Sequence, residues 1–363
     1  MSEAPDQPDQ NTARSTDGGR SWVKPAVQVV GFGVCVALLV WTISEALSAE
    51  NRQQLARLGD ARAWQVALLA LGGIATVLLN GLIFWAVIGP VKRLRALDVV
   101  AVNAVATLLA YLPFKLSVVA RVAIHRRRDG VPLLTIGAWF AAMAALLLAT
   151  LVPAGGASLL LKDISPLWAV AVVSGVFAAN GIVIMLSRLV EGERGMTRLM
   201  QWSRVLRSSS VDRALSGRRF AELHAGLTMT GDIRGVLTAA ALRLADAGVH
   251  AVRFWIAAQV LGVPLGLDGA VMLGFTFFLI GVLSPFGSLG AREGGTLAIA
   301  ELIGLGVMSD GSNPVPALIL FVSGTESVVA LAAAGFGAAW LRLDKLLRFA
   351  RPGAALGEGR GER

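Results

Sequence analysis

Apolar residues along this chain gather in long unbroken runs, not in the alternation of a half-buried strand or the one-sided stripe of a soluble helix. A helix needs about 20 residues to cross a hydrocarbon core about 30 Å thick. Runs near that length or beyond it lie at 25–47, 63–89, 131–152, 166–186 and 314–341, with a less apolar one at 235–262. They predict about six spanning helices, the first a signal-anchor rather than a cleaved signal peptide.

Two stretches interrupt the pattern. In 99–121 an apolar limb is followed by YLPFKLSVVAR, where Pro113 ends the helix and Lys115 adds a charge. In 270–306 an apolar limb is followed by LSPFGSLGAREGG and a second limb from about 294 to 306. Limbs of about 14–16 residues cover only about 21–24 Å. Broken or re-entrant helices fit them better, and irregular backbone at that depth is tolerated only inside protein or beside a wet cavity. LPFKLSVVAR (112–121) and SPFGSLGAR (284–292) share a Pro-Phe followed by Ala-Arg. Two such elements entering from opposite faces are the mark of an inverted repeat with a midplane site, although a match this short in Ala-rich sequence also arises by chance. The fold class expected is an all-α polytopic membrane protein with two broken elements.

Outside the runs, residues 1–24 and 346–363 are polar and read as disordered tails, leaving 25–345 as one membrane domain with a basic segment at 187–234. Of 363 residues, 55% are hydrophobic and 16% charged, with a formal net charge of +9. Soluble domains carry about 25% charged residues, so the composition excludes an ordinary soluble domain, and the clustering of the charges argues against a nucleic-acid partner. Lys and Arg cluster at 90–98, 121–130, 187–234 and after 341, whereas 263–269 and 307–313 have none. By the positive-inside rule this places both termini in the cytoplasm and the protein in a cell (inner or plasma) membrane. The first broken element then enters from inside and the second from outside. The three arginines in the external loop 49–62 run against the rule.

The chemistry-bearing residues lie where charge is costly. Arg243, Asp246, His250 and Arg253 are spaced by 3, 4 and 3, one face of a helix. On insertion scales each Arg or Asp at a helix centre costs about 2.5–3.5 kcal/mol, so this segment needs a polar interior. Alternatively 235–248 continues the cytoplasmic loop and the helix starts near Val249. In the second broken element Gly287 and Gly290 either let backbone approach a ligand or form a tight bend. Arg292 at a helix N-terminus suits a phosphate head group, while Glu293 orients that arginine, accepts a proton or complements the helix dipole. Glu326 and Glu301, in apolar surroundings, are candidates for charge tuning or proton relay, or for plain structural hydrogen bonds. Lys115 is expected to snorkel to cytoplasmic head groups. Pro113, Lys115 and Arg121 mark the first broken element. Met196, Leu199, Met200, Trp202 and Leu206 form an apolar face among arginines, as on a helix lying on an anionic inner leaflet.

One cysteine, Cys35, and three scattered histidines give no metal motif. No phosphate-binding loop, HExxH or G-x-S-x-G occurs, so neither a metal nor another cofactor is expected.

With these residues in view, the chain resembles the integral-membrane, flippase-like domain of lysylphosphatidylglycerol synthases over about 25–345. The resemblance rests on P-x-G-x-x-G-x-R-E, here PFGSLGAREGG, on the LP…R element YLPFKLSVVARVAIHRRRDG, and on the order of hydrophobic segments. The LP…R element lacks the glycine and acidic residue often found between its Pro and Arg. The resemblance implies movement of charged or glycosylated lipids between leaflets. The short tail after 341 has no room for the synthases' aminoacyl-transferase domain, so lipid aminoacylation is not expected. The function expected is flippase-like lipid transport, with a phospholipid or glycolipid as partner. The alternative is a membrane-embedded enzyme or accessory subunit working with the enzymes of lipid or polyprenyl-glycan synthesis.

Overall fold

The computed structural model describes residues 23–52, 56–161, 163–205, 226–305 and 313–348. Every regular element among them is helical. In chain order they are α1 (Val23–Ala46), α2 (Ala63–Ile88), α3 (Ala96–Leu109), α4 (Leu116–Arg127), α5 (Leu133–Leu161), α6 (Pro166–Val190), α7 (Gly192–Val205), α8 (Leu227–Gly231), α9 (Ile233–Leu261), α10 (Leu267–Leu283), α11 (Ala291–Leu302), α12 (Val315–Leu341) and α13 (Leu343–Arg348). Six of them (α1, α2, α5, α6, α9 and α12) are long and apolar enough to span a membrane. Leu71, Phe177, Leu331 and Phe336 are each more than half exposed on these helices. Apolar side chains that face outward in such numbers are solvated by lipid.

The two broken stretches are helical hairpins. In the first, α3 and α4 fold back on each other: the Arg121 guanidinium donates to Asn103 Oδ1 at 2.6 Å, and Ile124 packs in one apolar cluster with Ala101 and Val102. The turn uses left-handed backbone at Phe114 and Lys115. In the second, α10 and α11 pair in the same antiparallel sense, with Gly281 facing Arg292 and Gly295 facing Ile280.

The hairpins enter from opposite ends of the bundle. At the end we term basic, Arg128 pairs with Asp98 at 3.0 Å, Asp98 accepts from the Trp340 indole at 2.9 Å, and Lys92 donates to the Asp129 carbonyl. These contacts put the base of the first hairpin beside the C-terminus of α12. At the other end Arg57 donates to the Leu261 carbonyl and Asp268 caps Ile164 N–H at 2.6 Å. There Leu261, Val263, Ala270 and Val315 share one apolar cluster, and the base of the second hairpin lies among them. The tips then meet. Ser288 N–H donates to the Ala110 carbonyl at 3.0 Å, and its hydroxyl reaches the same oxygen at 3.2 Å.

Several expectations are corrected. The helix expected to end near 152 runs through Pro153 to Leu161, so 153–165 is not a loop of that length. The helix carrying Arg243 runs from Ile233 to Leu261, in keeping with the run expected at 235–262, and it is the alternative start near Val249 that fails. Its Asp232 side chain accepts from Gly235 N–H at 2.8 Å and fixes the start at Ile233. The second limb of the later hairpin runs from Ala291 to Leu302 instead of from about 294 to 306, with Arg292 and Glu293 in its first turn. The side chains of Met196, Leu199, Met200 and Trp202, all of Leu206, and most of both tails lie outside the described residues.

Close packing against α1 explains the glycine at the mouth of α11. Gly290 has φ +77°, and a β-carbon there would lie 1.7 Å from the Cys35 carbonyl oxygen. Gly290→Ala should therefore lower the thermal midpoint of the detergent-purified protein by about 5 °C or more. Unchanged unfolding by differential scanning fluorimetry would contradict this packing.

Candidate functional site

Ionisable side chains from three helices converge where the hairpin tips meet. Arg243, Asp246, His250 and Arg253 on α9 are all buried, none more than 5% exposed. Arg292 and Glu293 from α11 and Glu326 from α12 are buried with them.

Glu326 sits at the centre. Its Oε2 accepts from Arg253 at 2.7 Å and its Oε1 accepts from Arg292 at 2.5 Å. Arg253 donates further to the Val322 carbonyl at 3.0 Å. Gly72 is what lets this arm through: a β-carbon there would lie 2.7 Å from Arg253 Cγ. Arg292 donates from Nε to Glu293 at 2.9 Å, and to the Tyr111 hydroxyl at 3.0 Å and Ser323 Oγ at 3.2 Å. Its guanidinium lies 4.9 Å from the Tyr111 ring centre and 4.6 Å from that of Phe277. Glu293 accepts from Gly290 N–H at 2.6 Å, tying the carboxylate to the start of its own helix, and from the Ser323 hydroxyl. Two arginines and two carboxylates thus neutralise one another.

A second cluster lies two turns back along α9. Arg243 donates to Asp246 at 2.9 Å and to Asn80 Oδ1 at 2.8 Å, and Asn80 donates to Asp246 at 3.0 Å. Asp246 Oδ1 and both ring nitrogens of His250 are buried without a hydrogen-bond partner among the described residues. The ring of His250 lies 5.4 Å from that of Phe278.

Between the clusters is a cavity of about 160 Å³, lined among others by Asn80, Asn103, Tyr111, Arg121, His250 and Arg292. That is the liquid volume of about five waters. Polar groups without partners around a space of this size call for water or a polar ligand, since an unsatisfied buried donor or acceptor costs about 1–3 kcal/mol.

Of the residues anticipated here, Arg292, Arg253, Arg243, Glu293, Asp246, His250 and Glu326 come together, with Arg121 across the cavity. Gly287 and Gly290 lie beside them, but their close approaches are to protein backbone, at the Leu112 and Cys35 carbonyls respectively. Glu301 lies apart, exposed near the end of α11. Pro113 and Lys115 are in the first hairpin's turn, with Lys115 exposed. Because α4 separates Lys115 from the basic end by 12 residues, about 18 Å, its side chain cannot snorkel to head groups there as expected. Tyr111, Ser323, Asn80 and Asn103 were not anticipated. Asn80 carried a signal, as an amide in the middle of a long apolar run, and Ser323 lies one turn before Glu326 on the same face. Among the described residues no group of three or more His, Cys, Asp or Glu side chains is placed to hold a metal ion.

The family model for the lysylphosphatidylglycerol synthase TM region matches residues 28–320. The chain belongs to this family. No curated protein and no solved structure matches it. The match covers both hairpins and every ionisable residue of the site except Glu326, which falls just beyond it.

Removing one partner of a buried ion pair costs about 3–5 kcal/mol, because the other charge is stranded. Glu326→Gln strands Arg253 and leaves Arg292 to Glu293 alone, and should destabilise the protein by about that amount in chemical unfolding. Combining it with Arg253→Met should restore part of the loss. A Glu326→Gln protein as stable as the wild type would show that the bridge carries no weight.

Proposed function

We propose that this protein moves polar or charged lipids between the leaflets of a cell membrane, with both termini in the cytoplasm. The observation that carries this reading is the polar cavity between two hairpin tips that enter from opposite ends. A charged group in hydrocarbon is costly, and the cavity gives a head group a path lined with partners. Arg292, Arg253 and Arg243 supply positive charge to its surroundings. Asp246, Glu293 and Glu326 balance that charge, and His250 is placed to exchange a proton.

Two apolar grooves support lipid rather than a small soluble ion as the cargo. One, of about 380 Å³ and lined by Leu97, Ala104, Phe336 and Trp340, opens toward the basic end. The other, of about 660 Å³ and lined by Trp64, Gly72, Trp255 and Gln259, opens toward the opposite end. Both run along α2, whose other residues Thr76 and Asn80 line the polar cavity. Acyl chains can therefore stay in apolar surroundings while the head group is in the polar space. Family membership is consistent with this activity. The basic end, with Lys92, Arg93, Arg95 and Arg126 to Arg128, suits an anionic inner leaflet.

The test is leaflet exchange of fluorescent phosphatidylglycerol in reconstituted vesicles, read by a membrane-impermeant quencher. The wild type should exchange the lipid, and joining Ala110→Cys to Ser288→Cys with a short bifunctional thiol reagent should abolish exchange. Either single variant, treated alike, should stay active. Exchange no faster than in protein-free vesicles, across several head groups, would overturn the reading. Product formed from lipid extracts, and lost in Glu293→Gln protein that still folds, would point instead to an enzyme.

A further inference from the structure

The two hairpins carry related arginines in unlike electrostatic settings. Arg121 follows Pro113-Phe114 and Arg292 follows Pro285-Phe286, each immediately after an alanine. Arg292 is saturated: Glu293 and Glu326 take its charge, and four of its contacts are hydrogen bonds to buried oxygens. Where Glu293 follows Arg292, Val122 follows Arg121.

Arg121 has no carboxylate within ion-pair distance among the described residues. Among the described residues it donates one hydrogen bond, to Asn103, and that amide is anchored by donating to the Val77 carbonyl at 2.8 Å. Its guanidinium stacks 4.1 Å from the Phe84 ring centre, and its Nε is buried without a partner. A guanidinium has five N–H donors in a planar fork, and among the described residues one hydrogen bond, to Asn103, is what this one makes. His250 faces the same cavity at 2% exposure with neither ring nitrogen engaged.

We propose that Arg121, with the His250 imidazole facing the same cavity, binds the phosphate ester of a membrane lipid, and that Arg292 is a clamp between hairpin and bundle rather than a head-group ligand. The charge count favours an anion. Arg292, Arg253, Glu293 and Glu326 sum to zero and Arg243 cancels Asp246, so Arg121 leaves the cavity with one uncompensated positive charge. A phosphodiester oxygen pair matches the planar fork. Arg121 lies midway along α4, six residues from the turn and six from the basic end, so it is within reach of a lipid from the basic-side leaflet. The inference rests on the transport reading for its occupant but not for its chemistry, and binding is measured without transport.

The full-length protein in detergent is titrated with fluorescent phosphatidylglycerol, and with diacylglycerol of the same chains, which has no phosphate. The wild type should prefer phosphatidylglycerol by about tenfold or more, the worth of one charge-assisted hydrogen bond or better. Arg121→Gln should remove that preference and leave diacylglycerol binding unchanged, and Arg121→Lys should recover part of it as a point charge. A wild type that binds both lipids equally overturns the proposal without any variant, should the variants fail to fold. So does full phosphate preference in folded Arg121→Gln protein, or displacement of the lipid by inorganic phosphate at equal concentration. Leaflet exchange that fails while this binding persists removes the transport reading alone. Exchange that persists with phosphate-blind binding removes only this assignment.

Discussion

The structure depends on one carboxylate held by two arginines inside a membrane domain. Glu326 belongs to α12, Arg253 to α9 and Arg292 to the second hairpin, so three elements with no covalent proximity share a single charge balance. In water such contacts would be worth little. In a low-dielectric interior each of the three groups is untenable without the others. The surrounding sequence is shaped to permit them. Gly72 clears the path of the Arg253 arm, and Gly290 lets α11 begin against α1 so that Arg292 points inward.

The second constraint is the backbone. Hairpin limbs too short to cross the core must turn within it, and the turns free peptide groups that lipid cannot satisfy. Each tip meets part of the other's need: Ser288 donates to Ala110, and Gly287 sits against the Tyr111 and Leu112 carbonyls. Meeting tip to tip also leaves a space lined by side chains of both hairpins and of α2, α9 and α12. The polar cavity is thus a consequence of how interrupted helices are accommodated. The asymmetry between the saturated Arg292 and the unpaired Arg121 gives that cavity its sign.

Much of the fold was legible because a bilayer imposes a length rule. The six apolar runs became spanning helices, and the limbs flanking Pro113 and Pro285 were recognisable as too short. Helix ends were less legible. Pro153 reads as a terminator, yet inside a long apolar helix its lost hydrogen bond is tolerated and the helix continues. The Arg243–Arg253 face was visible from spacing. Its pairing was not, since the partners Asn80 and Glu326 come from helices more than 70 residues away in either direction. Lys115 misled for a related reason: a lysine in an apolar stretch reads as snorkelling only when its distance from the interface is known, and the hairpin put it at the far end of α4.

The central claim is that the space between the hairpins is wet while the outer faces of the same helices are in lipid. It is tested most directly on α4, where Ser117 lines the cavity and Val119 is 57% exposed on the outer face. In a Cys35→Ala background, cysteines placed singly at these positions in native membranes are exposed to a small, charged, water-soluble thiol reagent. The account predicts rapid modification of Ser117→Cys and almost none of Val119→Cys. Equal rates at the two positions, or protection of Ser117→Cys alone, would contradict it.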